Sequence, residues 1–284
     1  MNQEVFAAVA DALERGEQAA LVTIVSTTGS TPQRVGAKML VFADGRTVGT
    51  IGGGCYENDA FWKAREAITT RRPQVVRYEL SDDFAQETGL ICGGQMDVYI
   101  EPIEPSPELF VVGAGHVGFH LATLAQDIGF RVHVIDDREK FANRERFPKA
   151  TSVIAEDIPA WLTRTPLAPH SYVVIVTRGH TNDLEALRAL APRDLRYLGL
   201  IGSRAKVARI YDALLADGMP ADRLASVHAP IGLDISAVTP QEIAVSILAE
   251  LIAVKHGKVA ARDASELSMK WVPARAHAAT LKAD

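Results

Sequence analysis

Hydrophobic positions follow two different patterns in this chain, and the change falls close to residue 104. In the first part, apolar residues recur at helical spacing in two segments, and short β-branched or alternating runs separate and flank them. The predicted elements are helices over 5–13 and 57–70 and strands over 21–26, 38–42, 47–51, 74–80 and 97–103. We therefore predict a mixed α/β domain over residues 1–104.

After residue 104, short apolar runs alternate with helical segments. The predicted strands cover 109–112, 131–135, 151–154, 172–177 and 197–201. Apolar runs without polar alternation are typical of parallel strands that are buried on both faces. The chain is thus predicted to have an α/β fold in which a Rossmann-like, doubly wound parallel-sheet domain covers residues 105–257.

Three segments mark the boundaries of this second domain. Three prolines within 101–108 predict a stiff linker, since proline fixes φ and removes a backbone donor. Thr239-Pro240-Gln241-Glu242 has the residues of a capping box with proline at the first helical position, so the last strong helix is predicted to begin there. Residues 258–284 are weakly patterned and are predicted to form a C-terminal tail.

Composition narrows the class of protein. The 284-residue chain has 30 Lys and Arg against 35 Asp and Glu and no dense basic stripe, so binding to nucleic acid is not expected. Its first 20 residues carry four acidic side chains, unlike a secretory signal, and no apolar run approaches the ~20 residues of a membrane span. Two cysteines do not make a disulfide scaffold, and free thiols suit a reducing compartment, so we expect a cytoplasmic protein.

A glycine-rich motif, Gly113-Ala114-Gly115-His116-Val117-Gly118, follows one predicted strand and begins a helix. In a dinucleotide-binding motif, Gly113 would turn the chain, Gly115 would let N–H groups approach a pyrophosphate, and Gly118 would allow close packing of helix on strand. Asp136 ends the next strand and could accept a hydrogen bond from a ribose hydroxyl. A domain of this shape could hold no ligand, a nucleotide or another phosphate-bearing cofactor, because fold does not fix function.

Other loops are expected at the same edge of the sheet, because parallel strands present their carboxyl ends together. The further candidates for ligand contact are His116, Arg178, His180, Ser203 and Arg204. Three of them have a plainer alternative: His180 could be a hydrogen-bonding spectator, and Ser203 could simply cap a helix while Arg204 faces solvent. The loop over 228–234 could likewise belong to the site or support this edge as a turn.

Both cysteines adjoin glycines, in Gly52-Gly53-Gly54-Cys55 and Cys92-Gly93-Gly94. Glycine offers no side chain to pack on a thiol and lets backbone approach a ligand, so both thiols are predicted to be presented on tight loops, with Gly53 and Gly54 close to the ligand. Inert, half-buried thiols beside turns are the alternative. Cys55 lies near a predicted helix start, where N–H groups and the helix dipole favour the thiolate, so it is a candidate nucleophile or soft ligand for molybdenum or copper.

Taken in order, these motifs resemble those of the XdhC/CoxI family, the xanthine dehydrogenase accessory proteins. In the first domain the matching segments are 29–33, 36–39, 51–57 and 89–98. In the second domain they are 113–118, 177–180, 199–204, 228–234 and 239–247. The resemblance covers about residues 20–257 and excludes the tail.

The resemblance implies a molybdenum-cofactor chaperone that catalyses no reaction itself. Such a protein binds molybdopterin or its cytosine dinucleotide form and protects it while a partner cysteine desulfurase sulfurates the metal. It then inserts the cofactor into a molybdenum hydroxylase of the xanthine dehydrogenase type, and the family suggests a homodimer. The residues agree with this role, since a thiol such as Cys55 suits molybdenum and glycine loops suit phosphate.

Two other functions fit the sequence. An NAD(P)-dependent oxidoreductase would use the Rossmann motif with His180 or Cys55 at the reacting centre, although the first domain offers glycine-embedded thiols where a substrate domain needs an acid/base and an anchoring cation. A redox-sensing interaction module would show reversible thiol oxidation and bind no cofactor.

Overall fold

The computed structural model describes residues 2–80, 94–257 and 268–269. Cys92 and nearly all of the predicted tail over 258–284 lie outside the described residues. The chain divides into two compact units, Met1–Ser106 and Pro107–Asp284. Every helix of the described residues is too short or too polar to serve as a transmembrane span.

The first unit is a five-stranded antiparallel sheet with a helix on each face. Its elements are α1 (Gln3–Arg15), β1 (Ala19–Thr28), β2 (Lys38–Phe42), β3 (Thr47–Gly49), α2 (Gly54–Thr70), β4 (Gln74–Glu79) and β5 (Gln95–Ile103). The strand order is β3-β2-β1-β5-β4, and all four neighbouring pairs are antiparallel. The mixed α/β domain predicted from the sequence is therefore confirmed.

Small residues fix the position of α2 on this sheet. Ala60, Ala64 and Ala67 are fully buried and share one core cluster with Val22 of β1. Side chains of this size let the helix backbone come close to the strands, while α1 covers the opposite face. The first turn of α2, which carries Cys55, is thus held on a packed scaffold.

The second unit is a parallel sheet covered by helices on both faces. Its elements are β6 (Glu108–Val112), α3 (His116–Asp127), β7 (Arg131–Asp136), β8 (Ser152–Ala155), α4 (Ile158–Arg164), β9 (Tyr172–Ile175), α5 (His180–Leu190), β10 (Tyr197–Leu200), α6 (Arg204–Ala216), α7 (Ala221–Ala225) and α8 (Pro240–Lys255). The five strands are parallel and lie in the order β10-β9-β6-β7-β8. One core cluster contains residues of α3 and α8, and the cluster on the other face contains residues of α4, α5 and α6.

This strand order creates a topological switch point between β6 and β9. From β6 the chain first builds outward through β7 and β8, and then returns to add β9 and β10 on the other side. In open α/β sheets, ligands bind at the carboxyl ends of the strands where the order reverses. The doubly wound Rossmann architecture predicted from the sequence is confirmed.

Glu250 of α8 is fully buried and anchors a neighbouring loop to the core of this unit. Its carboxylate accepts hydrogen bonds from the Tyr197 hydroxyl at 2.5 Å, the Gly232 N–H at 2.9 Å and the Ser268 hydroxyl at 2.7 Å, and it lies 3.1 Å from Nδ1 of His228. Burial opposes ionisation, but the bonds with His228, Tyr197 and Ser268 outweigh it and lower the pKa of Glu250 to about 2. His228 therefore belongs to the core, which agrees with the supporting-turn alternative for its loop.

The boundary between the units is shorter than the predicted linker. β5 extends to Ile103 and β6 begins at Glu108, so 104–107 separate the two strands. Pro102 lies inside β5, two residues beyond the last pairing with β4 at Ile100, and pairs with Ala20 of β1.

The start of α2 also differs from the prediction. The helix begins at Gly54, three residues before the predicted start at Glu57, because Gly53 adopts a φ of +75° and acts as the N-cap residue. Cys55 is therefore the second residue of the helix and does not precede it.

Candidate functional site

The three motif glycines of the second unit have different surroundings. Gly113 has a φ of +113°, and its N–H donates to the Ile135 carbonyl at 2.7 Å, which turns the chain after β6. A Cβ on Gly118 would overlap the carbonyl oxygen of Gly113, so glycine is needed for α3 to pack this closely. Nothing lies within 4 Å of a Cβ position on Gly115, so that side of the loop is open. These surroundings suit the roles that the motif predicts.

The Asp136 carboxylate is buried and fully engaged by the protein itself. Its Oδ1 accepts from the Arg138 N–H at 3.0 Å and from Arg138 Nε at 2.7 Å, and its Oδ2 accepts from the Ala114 N–H and from a terminal guanidinium nitrogen of Arg138, both at 2.8 Å. Burial opposes ionisation, but these bonds outweigh it and hold the pKa of Asp136 below its usual value. A carboxylate has about four lone-pair sites, so Asp136 has no open acceptor for the predicted ribose hydroxyl.

Ala114 is held by both of its backbone polar groups. Its N–H donates to Asp136, and its carbonyl accepts from Arg146 at 2.9 Å. The Arg146 guanidinium also donates to the Phe141 carbonyl at 2.8 Å and lies over the Phe119 ring at 5.2 Å. The glycine-rich loop is therefore fixed from both sides before any ligand binds.

Two cavities that share lining residues lie at the switch point. The larger, of about 380 Å³, is lined by Gly115, His116, Val117, Arg138, Phe141, Val176, Thr177, Arg178, Ile201 and Pro240. The smaller, of about 200 Å³, is lined by Asp136, Asp137, Arg138, Ile158, Thr177, Arg178 and Asn182. The glycine loop and the start of the 12-residue helix α3 thus line the larger cavity, and the end of β7 lines the smaller one.

Two arginines line both cavities. Arg138 is oriented by Asp136, and its guanidinium lies 4.0 Å from the centre of the Phe141 ring. Arg178 is exposed and makes no hydrogen bond or ion pair with the residues that the structure describes. Because Asp136 already pairs with Arg138, Arg178 is the cation here that could attract phosphate or another oxyanion to the N–H groups at the start of α3.

The remaining candidates of this edge have different positions. His116 is the exposed first residue of α3 and lines the larger cavity. His180 is the first residue of α5, after the cap residue Gly179. Ser203 caps α6 by accepting from the Lys206 N–H at 3.3 Å, and neither Ser203 nor Arg204 lines either of the two cavities. For these last two residues, the geometry agrees with the capped-turn alternative.

A buried ion pair lies directly behind the shared wall of the cavities. Asp183 of α5 is fully buried, pairs with Lys206 of α6 and accepts a hydrogen bond from the Thr177 hydroxyl at 2.6 Å. Lys206 is therefore engaged within the protein, whereas Arg178, which follows the end of β9 by three residues, is exposed.

In the first unit, Glu57 binds the glycine loop that precedes it. Its Oε2 accepts from the Thr50 hydroxyl at 2.5 Å and from the N–H groups of Ile51, Gly52 and Gly53 at 2.9, 3.1 and 2.9 Å. Burial opposes ionisation, but these bonds outweigh it and lower the pKa of Glu57. These N–H groups are thus bound by a side chain from the first turn of α2 and are not free for a ligand.

Three motif segments meet around this loop, and Cys55 is exposed beside them. A Cβ on Gly52 would lie 2.8 Å from Cβ of Pro32, and a Cβ on Gly94 would lie 2.8 Å from the Thr28 carbonyl oxygen. Segments around residues 28–33, 52–55 and 94 are therefore packed together, as a shared site would require. Within the described ranges, no group of three or more His, Cys, Asp or Glu side chains could hold a metal ion.

Comparison with known families gives the identity of both units. Residues 12–79 match the model of the XdhC and CoxI family, and residues 109–251 match the model of the XdhC Rossmann domain. The chain belongs to the XdhC and CoxI family.

Several proteins are similar to this XdhC-family chain over most of its length. YqeB of Escherichia coli, an uncharacterized protein, is 39% identical over 84% of this chain, but the chain spans only 43% of YqeB. A Bacillus subtilis protein described as a probable xanthine dehydrogenase subunit is 27% identical, with 84% of this chain and 94% of the relative covered. The molybdenum cofactor insertion chaperone PaoD of Escherichia coli is 24% identical, with 86% of each chain covered.

A solved structure supports the arrangement of elements in this XdhC-family chain. The crystal structure of a protein described as a xanthine dehydrogenase from Bacillus halodurans matches with a TM-score of 0.50 and 25% identity. The match covers 92% of this chain and 98% of the other chain.

Sequence reasoning did not assign the roles of three residues that shape the two loops of this XdhC-family protein. Arg138 and Arg146 hold the second-unit loop, and Glu57 holds the first-unit loop. Glu57 carried a signal, since an acid four residues after Gly53 is in reach of a helix start. Arg146 carried none, because it lies 32 residues along the chain from the carbonyl that it binds.

Proposed function

We propose that this chain is a molybdenum-cofactor-binding chaperone that protects the cofactor, supports its sulfuration and inserts it into a molybdenum hydroxylase of the xanthine dehydrogenase type. The observation that carries the proposal is the oxyanion site at the switch point, where the glycine loop, Arg138 and Arg178 line one cavity. The named insertion chaperone among the relatives supports the same role.

The second unit suits the phosphate part of such a cofactor. Gly115 leaves open space beside the N–H groups at the start of α3, and Arg178 supplies positive charge, while the charge of Arg138 is compensated by Asp136. The loop is already fixed by Asp136 and Arg146, so little conformational entropy is lost when an anion binds.

The first unit suits the metal part. Cys55 is an exposed thiol at the start of a 17-residue helix, and a sulfur ligand of this kind suits molybdenum. When bound, the cofactor supplies the molybdenum centre that the client enzyme uses. The chain itself binds the cofactor, shields it from solvent and releases it, and catalyses no reaction.

The partners and cellular context belong to the same proposal. The client is a molybdenum hydroxylase, a cysteine desulfurase supplies the sulfur, and the chaperone works in the cytoplasm as a homodimer. The cargo is molybdopterin or its cytosine dinucleotide form.

A loading and transfer experiment tests the proposal. Purified protein is incubated with each form of the molybdenum cofactor, separated from free cofactor, and assayed for bound molybdenum and pterin. The loaded protein is then mixed with cofactor-free hydroxylase, and recovery of hydroxylase activity is expected. Failure to retain molybdenum and pterin would overturn the proposal, and saturable hydride transfer with NAD(H) or NADP(H) would instead identify an oxidoreductase.

A further inference from the structure

The second unit has a dinucleotide-binding loop whose predicted ribose acceptor is fully engaged within the protein. Asp136 is buried, and its two oxygens accept four hydrogen bonds from Arg138 and Ala114. A ribose hydroxyl would have to displace one of these charge-assisted or backbone bonds, which would cost more than the new bond returns. Any ribose bound at this edge therefore needs another acceptor.

Asp137 is the next residue and has the free acceptor that Asp136 lacks. It lines the 200 Å³ cavity, and its side chain is 46% exposed. Its nearest charged partner is Nε of Arg138 at 3.6 Å, which is too long for a hydrogen bond, and no hydrogen bond reaches its carboxylate from the described part of the chain.

We infer that Asp137, and not Asp136, accepts the hydrogen bond from a ribose hydroxyl, and that the small cavity binds the nucleoside part of a ribonucleotide ligand. The ligand class is a pyrophosphate-linked ribonucleotide, with its pyrophosphate at the glycine loop around Gly115. This inference deepens the proposed function, on which it rests, by assigning the dinucleotide form of the cofactor to this site.

The charges of the small cavity favour a nucleoside phosphate over a bare phosphate. Asp136 and Arg138 form a bidentate pair and compensate each other. The uncompensated charges that line the small cavity are therefore the Asp137 carboxylate and the Arg178 guanidinium. The Asn182 amide, which is neutral, also lines it. A lone dianion would meet the repulsion of Asp137, whereas a ribonucleotide brings a hydroxyl for the carboxylate and a phosphate for the guanidinium.

The test compares ribose with deoxyribose on the same protein. Cytidine and adenosine 5′-diphosphates and their 2′-deoxy counterparts are titrated into the full chain by calorimetry. We expect at least one ribonucleotide to bind about tenfold more tightly than its deoxy counterpart, the effect of one hydrogen bond to a charged acceptor. Asp137→Asn is expected to bring this ratio close to one while the folded state is retained.

Glu139→Gln is the matched control, because Glu139 is exposed, lies two residues further along the chain and lines neither cavity. It removes the same charge from the same surface, so a purely electrostatic effect would change both variants alike. The affinity ratio should be unchanged in this control. Because the ratio compares two ligands of equal charge, a general change in anion affinity does not affect it.

Three results would overturn the assignment of Asp137: a ribose-to-deoxyribose ratio of one in the wild type, an unchanged ratio in Asp137→Asn, or the same loss in Glu139→Gln. Absence of nucleotide binding would overturn it as well. Loading with molybdenum cofactor is measured on the same preparations. Wild-type protein that loads the cofactor without a ribose preference would refute Asp137 and leave the chaperone function standing, whereas protein that loads no cofactor would refute that function.

Discussion

The carboxylate of Asp136 accepts a hydrogen bond of 2.8 Å from the backbone N–H of Ala114, 22 residues earlier in the chain. Arg138 orients the same carboxylate through bonds of 2.7 and 2.8 Å. The end of β7 and the glycine-rich loop after β6 are therefore joined by a side chain rather than by a ligand, and the loop has its shape before any ligand binds.

Replacing Asp136 by asparagine should lower the free energy of unfolding by about 2 kcal/mol, because a neutral amide accepts less strongly from Arg138 and loses one of the two oxygens. The loss is measured by urea denaturation at neutral pH. Since the pKa of Asp136 is lower in the folded state, its stabilisation is present above the unfolded-state pKa of about 4 and disappears as the pH falls below it. Asp127→Asn, at an exposed carboxylate on α3, is the control and should change stability by less than about 0.5 kcal/mol.

Two glycines of the same loop should respond differently to alanine. Gly118→Ala should lower the free energy of unfolding by about 2 kcal/mol, since the new Cβ overlaps the Gly113 carbonyl oxygen and the backbone must shift. Gly115→Ala should leave stability unchanged, because nothing lies within 4 Å of its Cβ position, and should weaken binding of inorganic pyrophosphate. Denaturation and pyrophosphate titration of both variants check this, and equal stability of the two would contradict the packing argument.

Glu57→Gln should loosen the loop before Cys55. The amide oxygen of glutamine accepts less strongly than the carboxylate, so the N–H groups of Gly52 and Gly53 should exchange with solvent about tenfold faster, which corresponds to about 1.4 kcal/mol. Amide hydrogen exchange by NMR measures this directly. Glu66→Gln, on an exposed position of the same helix, is the control and should leave both amides protected. Unchanged exchange in Glu57→Gln would show that the loop holds its shape without the carboxylate.

Glu250→Gln should lower the free energy of unfolding by about 3 kcal/mol at neutral pH, because it breaks a buried charged network around His228 and Tyr197. The pKa of Glu250 falls from its usual 4.5 to about 2 in the folded state. The carboxylate therefore stabilises the protein above about pH 5, and the difference from the variant should shrink as the pH falls toward 2. Denaturation across this range measures the difference, and a gap that stays constant would refute the assignment to Glu250.

Cys55→Ala should weaken molybdenum-cofactor binding more than Cys92→Ala. Cys55 is exposed in the first turn of α2, so its sulfur is accessible to the metal of a bound cofactor. Retained molybdenum, counted after loading and gel filtration, compares the two variants with the wild type. Equal retention in both would remove the basis for ranking the thiols.

The fold was predictable because its signals are local. The apolar runs that became β6 to β10, and the capping box at Thr239 and Glu242 that begins α8, both depend on residues close together in sequence. The roles of the glycines followed from a motif whose spacing encodes a turn, an open approach and a close packing contact.

The hydrogen bonds that shape the site were less predictable, because several of them join residues that are far apart in sequence. The motif suggested Asp136 as a free ribose acceptor, but the two-residue spacing to Arg138 lets the guanidinium fold back on the carboxylate. Arg146 donates a hydrogen bond to the carbonyl of Ala114, which lies 32 residues earlier in the chain, and no sequence periodicity connects the two residues. Cys92 lies outside the described residues, so its expected position on a loop stays a prediction.

Glu57 gives the first unit its own negative charge for the N–H groups that precede Cys55. Without such a side chain, these donors would need water or a ligand anion as acceptors. Because the carboxylate comes from α2 itself, an anionic ligand would have to displace Glu57 to reach these groups, and the loop does not depend on a ligand for its geometry.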